Sequence, residues 1–314
     1  MTLHVAIAIV GFRNPADIAG CLGALGVSTY SDFEVVICEN GGEAAYAALV
    51  AQTPKRLASG QTVTILSAPR NLGFAGGVNR CLEHTPDADA WWILNPDTLP
   101  EPPALERMVD RLSAGGVDAV GCTVHLPDGT VQSWGGLWRP VLARSISMGH
   151  GAALETPIDA AEVERRQNYL NGSSMLVSAG FVRQVGLMRE DYFLYCEEVE
   201  WFIRGARHGM GLGFAPRARV LHHVGSSTGM GGAVRGRARL PVYLNARNAL
   251  LLVRDTSPWA LPVAVAALCL QMVARFGRHR AWRQLRYALS GILAGVANER
   301  GAPAWLGSVR GFGA

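Results

Sequence analysis

Four short apolar runs, each stopped by glycine, asparagine, aspartate or a similar turn former, constrain this chain most. Val5–Val10, Phe33–Cys38, Thr62–Leu66 and Ala90–Leu94 are too short for helices and continuous enough for strands buried on both faces. Helical patterns fall between them. Asn14 caps and Pro15 opens the first, whose Ile18, Leu22 and Leu25 share a face before Gly26. A second is expected from Gly76 to Leu82, after the glycine-rich Asn71–Gly77. A third follows Pro102-Pro103, with Leu105, Met108, Val109 and Leu112 at i, i+3, i+4 and i+7. This alternation predicts an α/β fold: a Rossmann-like, mainly parallel sheet flanked by helices. Ligands on such sheets bind beyond the carboxyl ends of the strands. There the chain keeps its polar, turn-forming residues: Glu39, Asn71–Gly77 and Asn95–Asp97.

From about Asp118 to Ser227 the pattern loosens. Strands are expected near Val117–Val124, Thr130–Trp134 and Ser174–Ser178, with an Arg/Gly-rich loop through Gly151 and a helix led by Glu197–Glu200. No linker appears before about residue 255. The expected division is therefore residues 1–254 as one domain, with halves 1–115 and 116–254, and 255–314 as a helical extension. That extension opens on Pro258–Phe276, whose apolar stretch of about 17 residues is at the lower limit for crossing a bilayer. Arg275, Arg278, Arg280, Arg283 and Arg286 follow, which suits an anionic lipid surface. The expectation is peripheral attachment at the inner face of the cell membrane, with a core or dimer helix as the alternative.

Composition removes several classes. With 49% hydrophobic and 17% charged residues over 314 positions, the chain is not disordered. Its six cysteines form no CxxC pair, which argues against a zinc ribbon or a thioredoxin motif and for reduced thiols in the cytoplasm. A net charge of +4 without a basic block gives no reason to expect nucleic acid as a partner. The first apolar run lacks a basic flank and meets Asn14-Pro15 early, so it reads as a strand rather than a signal peptide.

Four local patterns carry chemistry. Asn95-Pro96-Asp97-Thr98 places a carboxylate at a strand end, where it could hold a hard divalent cation against a nucleotide diphosphate; a plain turn uses the same residues. Asn71–Asn79 is glycine-rich and enters a helix, which suits close approach to an anion. It is not GxGxxG and follows the third strand, so a dinucleotide dehydrogenase fits poorly. Glu197, Glu198 and Glu200 lie among Tyr192, Phe193, Leu194, Tyr195, Trp201 and Phe202. A half-buried carboxylate among others has raised proton affinity, as a general base requires. On a helix Glu197 and Glu200 would share a face and Glu198 would point about 100° away, toward a substrate. His222-His223 could supply an imidazole ligand. No GxSxG elbow supports a serine hydrolase.

In order and spacing these pieces resemble the inverting family 2 glycosyltransferases with the GT-A fold, and most of all their bacterial rhamnosyltransferase-like branch. The resemblance rests on Asn71–Asn79, Leu94–Thr98, Asn171–Val177, Phe193–Trp201, His222–Ser227 and Arg247-Asn248. It implies that Glu39, Asn71 and Asn79 hold the base and ribose. The wider substrate-facing set is Gly73, Asn95, Gly172, Glu197 and Trp201. Asp97 and His222 would bind Mg²⁺ or Mn²⁺, and Glu198 would be the catalytic base. Glu39 and Glu198 stand where the family has aspartate, and Asn95 replaces the first acid of its DxD motif. The implied activity is metal-dependent transfer of a hexosyl or deoxyhexosyl unit from a dTDP- or UDP-sugar, rhamnose being favoured, to a glycan or lipid-linked glycan hydroxyl. A homo-oligomer is left open. The competing readings are a nucleotidyltransferase-like enzyme, for which Gly11–Pro15 is too short and weakly basic, and a non-catalytic membrane-attached scaffold.

Overall fold

The structure is a computed structural model describing residues 2–223 and 233–308. Its first half alternates as the apolar runs require: β1 (Val5–Gly11), α1 (Pro15–Leu25), β2 (Phe33–Glu39), α2 (Glu43–Gln52), β3 (Val63–Ser67), α3 (Gly73–His84) and β4 (Ala90–Leu94). These strands lie in the order β3-β2-β1-β4, all parallel. Ile18, Leu22 and Leu25 of α1 are buried together, and Gly26 ends the helix. Helix α3 begins at Gly73, three residues earlier than expected. The glycine-rich run is thus the start of the helix rather than a loop before it, and Ala75, Val78, Cys81 and Leu82 face the core.

The second half comprises β5 (Thr98–Pro100), α4 (Ala104–Ser113), β6 (Ala119–His125), β7 (Val131–Ser133), β8 (Gly136–Arg139), β9 (Arg144–Ser147), α5 (Ala160–Arg166), β10 (Ser174–Ser178), α6 (Ala179–Val185), α7 (Glu197–Arg207) and β11 (Leu212–His222). Strand β10 enters antiparallel between β4 and β6, while β11 runs parallel to β6 and antiparallel to β5. The sheet is parallel across its first four strands and mixed beyond them. The reason lies in the connection: the chain between β6 and β10, which holds β7–β9 and α5, returns to the sheet end where β6 finishes, so β10 runs back antiparallel to it. The Arg/Gly-rich segment holds the β8–β9 hairpin, a second small sheet. Strand β5 has three residues, too few to show a period in sequence.

Helices α8 (Arg239–Thr256), α9 (Leu261–Gly277) and α10 (Trp282–Val296) close the described chain. Helix α8 is buried from Leu240 to Val253, except Asn245, because α10, α9 and α7 pack around it. One apolar cluster runs from Ala6 and Ala8 of β1 through α8 to Leu268, Phe276 and Ile292. The described residues after 255 are therefore packed onto the sheet domain rather than hung from it. The outer side of α9 is different: Trp259, just before it, and Val263, Leu270 and Val273 along it are exposed.

Candidate active site

Strand register assembles the site. Thr98 of β5 pairs with His222 of β11, and the amide of His223 donates to the carbonyl of Asp97 at 2.9 Å. On the other side Leu94 of β4 pairs with Ser174 of β10, and the Asn95 amide donates to the Ser173 carbonyl at 2.9 Å. The Asn95–Asp97 turn is thus clamped between Ser173 and His222 at the carboxyl end of β4. The Thr98 hydroxyl closes the turn on the Asn95 carbonyl at 2.6 Å. A cleft of about 400 Å³ opens there, with Asn71, Gly73, Asn95, Asp97, Gly172, Glu197, Glu198 and His222 on its walls.

Asp97 Oδ1 lies 3.3 Å from His222 Nε2, with both side chains 9% exposed. His222 Nδ1 lies 2.7 Å from Gln132 Oε1. With the Gln132 oxygen accepting from Nδ1–H, a neutral imidazole turns the lone pair of Nε2 toward a carboxylate oxygen. Two acceptors at that distance need a proton or a cation between them. The donor set suits a divalent ion, and imidazole favours Mn²⁺ over Mg²⁺. No cluster of three His, Cys, Asp or Glu exists among the described residues. A cation here would complete its shell with phosphate oxygens and water, as Mg²⁺ and Mn²⁺ commonly do.

The opposite wall is a strained loop. Phe193, Tyr195 and Cys196 have φ of 69°, 74° and 74°, values that L-residues rarely adopt. Such strain persists where its surroundings over-determine it, and α8 supplies that constraint. Asn248 Nδ2 lies 2.8–2.9 Å from the carbonyls of Tyr192, Leu194 and Tyr195. Arg247, 1% exposed, donates to the Tyr192 carbonyl at 3.0 Å. From the far side the Phe74 amide donates to the Phe193 carbonyl at 2.9 Å. Gly73 makes that approach possible: its φ is +75°, and a Cβ there would lie 2.0 Å from the Phe193 oxygen.

The loop delivers the start of α7 into the cleft. Glu197 is 1% exposed, and among the described residues its Oε2 has no hydrogen-bond partner. Burial first, then the neighbouring Glu198 charge, pushes its carboxyl up to about 8. Glu198 keeps an exposed edge. Burial raises its carboxyl as well, while the backbone at the start of α7 pulls it back. The Glu198 side chain lies against Gly172, where a Cβ would stand 3.4 Å from its Cγ.

Several expected residues stand elsewhere. Glu39 ends β2 as foreseen, but it is 1% exposed and off the cleft wall. Its Oε1 accepts from the amides of Gly41 (2.7 Å) and Arg13 (3.1 Å), and Asn40 faces the cleft instead. Asn79 does not reach the cleft. Its amide oxygen accepts from Met188 N (3.0 Å), and its nitrogen donates to Met188 O (2.9 Å) and Glu190 Oε1 (3.0 Å), stapling α3 to that turn. Trp201 is fully buried, donates to the Gly186 carbonyl at 2.8 Å and packs edge-on against Phe181. Nor do Glu197 and Glu200 act together: Glu200 turns away to Arg204 Nε at 2.9 Å. Asn71 lines the cleft, its Oδ1 accepting from the Gly73 amide at 3.0 Å. Gly225-Ser226-Ser227 lie outside the described residues.

Sequence reasoning missed Asn40, Gln132, Leu240 and Pro241, all on the cleft wall. Asn40 beside Glu39 could have been found, since it sits at the end of a strand. Gln132 and the start of α8 gave no local signal.

A sequence profile for the family described as "Glycosyltransferase like family 2" matches residues 3–240. The chain is 28% identical to the N-acetylglucosaminyl-diphospho-decaprenol L-rhamnosyltransferase of Mycobacterium tuberculosis, over 84% of this chain and 89% of that protein. It is 21% identical to the low-salt glycan biosynthesis hexosyltransferase Agl10 of Haloferax volcanii, over 95% and 93% of the two chains. Among solved structures, the mannosyltransferase PcManGT of Pyrobaculum calidifontis, in complex with GDP-Man and Mn²⁺, superposes with a TM-score of 0.56 at 16% identity. That match covers 95% of this chain and 88% of the other.

Proposed function

The chain belongs to glycosyltransferase family 2 and is a sugar-transferring enzyme that uses nucleotide sugars, and we propose that it moves a rhamnosyl unit from dTDP-rhamnose to a lipid-linked glycan, with inversion. The supporting observation is the single cleft that holds both Asp97–His222 at the strand ends and Glu198 at the start of α7. A divalent ion, when bound at Asp97 and His222, would neutralise the charge that develops on the leaving diphosphate. Glu198, with its exposed edge, takes the proton of the acceptor hydroxyl as that oxygen attacks the anomeric carbon from the face opposite the diphosphate. Glu197 hydrogen-bonds a substrate hydroxyl through its unpartnered Oε2. Asn71, Gly73 and Asn95 contact the donor, Gly172 packs beside Glu198 on the cleft wall, and Glu39 shapes the loop that carries Asn40. A lipid-linked acceptor is supported by the substrate that the relative's name gives, a sugar on diphospho-decaprenol.

The membrane reading belongs with it. Pro258–Gly277 is 20 residues long, has a mean hydropathy of 1.7 and is 22% buried. Trp259, Val263, Leu270 and Val273 fall on one stripe of this helix, while Ala264, Leu268 and Phe276 pack inward. A helix with one face packed on protein lies on a bilayer rather than across it, and the arginines after it favour anionic, cytoplasmic lipid. We assign residues 1–254 to transfer and 255–314 to this surface.

The test is thermal stabilisation by nucleoside diphosphates with and without Mn²⁺. Saturating dTDP at 100 times Kd raises stability by about 2.7 kcal/mol. The expected result is a larger shift with dTDP than with UDP or GDP, increased by Mn²⁺ in the wild type but not in Asp97→Asn. A shift indifferent to both the base and the metal would refute the assignment.

A further inference from the structure

Between residues 201 and 298 the chain carries fourteen arginines and a single acid, Asp255. That acid is already committed to Arg189 and Arg300. Three of the arginines meet in a concavity outside the catalytic cleft. Arg239 starts α8, Arg283 and Arg286 lie in the first two turns of α10, and Trp282, Tyr287 and Ser290 complete the lining. Buried Gln284 ties α10 to the segment that leads into α8, donating to the carbonyls of Arg235 (2.5 Å) and Arg237 (3.2 Å). Arg239 rests over the Trp305 ring at 3.9 Å. Among the described residues no acidic side chain lines the concavity.

This placement works against the fold by itself. Arg283 and Arg286 are three apart on one helix face and repel. They also stand at the end of α10 where the macrodipole is positive, so cations are unfavourable there. Both effects reverse when an anion binds, and guanidinium forks match phosphate oxygens bidentately. The position adds direction. The next two residues after Arg239, Leu240 and Pro241, line the cleft that holds Glu198. From Trp282 in the lining, α10 continues with exposed Leu289 and Leu293, an apolar track suited to a lipid chain.

We propose that Arg239, Arg283 and Arg286 bind the diphosphate of the lipid-linked acceptor, with its sugar passing Leu240-Pro241 toward Glu198 and its prenyl chain lying along the outer face of α10. The destination of the sugar rests on the glycosyl-transfer reading. The diphosphate site does not, and it is tested without transfer. Farnesyl diphosphate is titrated calorimetrically into the full-length wild type and into Arg283→Gln/Arg286→Gln, both exposed positions, with melting curves checking the fold. The expected result is at least a tenfold weaker affinity in the variant, with dTDP affinity unchanged. No binding by the wild type, or equal binding by the variant, overturns the site. If the variant loses phosphatidylglycerol vesicles yet keeps farnesyl diphosphate, the arginines serve phospholipid headgroups and the proposal is also overturned. If dTDP fails to bind while farnesyl diphosphate behaves as expected, the transfer reading falls and the diphosphate site stands.

Discussion

Glu197→Gln should make the enzyme more stable at neutral and alkaline pH, and the size of the gain is set by the burial of one carboxyl. Glu197 is 1% exposed with an unpartnered Oε2, and its folded-state pKa is pushed up to about 8 from an ordinary 4.5. Between those values the folded protein holds a proton that the unfolded chain has released. Stability from this group is therefore complete below about pH 4.5 and is lost as pH rises toward 8. Each pH unit in that window withdraws about 1.4 kcal/mol. The full swing approaches 5 kcal/mol, an upper figure because water entry and sharing of one proton with Glu198 relieve part of it, so about 2–4 kcal/mol is expected by pH 8. Glutamine keeps the shape and buries no charge. With an unfolding entropy near 2.1 cal/mol/K per residue, that difference is a Tm gain of about 3–6 °C for a chain of this length. Melting curves of the wild type and the variant at half-unit steps from pH 5 to 8 read it directly. The curves should nearly coincide at pH 5 and separate steadily above it. A constant offset across the range, or a variant less stable at pH 8, would refute the account of Glu197 as a buried carboxyl whose ionisation is suppressed at the expense of stability.

Glu198→Gln should leave dTDP affinity unchanged by calorimetry and lower turnover about 10²–10⁴-fold, the usual cost of losing a general base; a normal rate moves the role to Glu197. Gly73→Ala combines a φ of +75° with a Cβ 2.0 Å from the Phe193 oxygen, so denaturant titration should show a loss of about 3 kcal/mol or more. A neutral result would mean that the 193–196 loop is not fixed as described. Val263→Glu with Leu270→Glu, at positions 57% and 72% exposed on one stripe of α9, should abolish sedimentation with phosphatidylglycerol vesicles without lowering Tm. Persistent co-sedimentation would remove α9 from the membrane surface. Point substitutions are the right test here, because truncation after residue 255 would strip the buried α8 of α9 and α10.

The four parallel strands and helices α1, α3 and α4 were legible because each is a local apolar run or a local period, whereas α2, with Leu49 alone buried, carries no such period and was not foreseen. The carboxyl ends of those strands carry Asn71, Gly73, Asn95 and Asp97, and all four line the cleft, since strand direction alone decides which turns face a ligand. What neighbours a residue across the sheet is not written locally. The three residues of β5 pair with the end of a strand more than a hundred positions away, and only that register brings His222 to Asp97. Helical geometry grouped Glu197 with Glu200, yet the left-handed turn at Tyr195-Cys196, held by Asn248, rotates α7 so that Glu197 and Glu198 share the cleft. Asn79 and Trp201 show the same limit from the other side. Each has the chemistry of a binding residue, and each is used up by a long-range hydrogen bond, to Met188 and to Gly186. A sequence shows which side chains could hydrogen-bond a substrate, but the partners that already satisfy a buried polar group are set by tertiary packing.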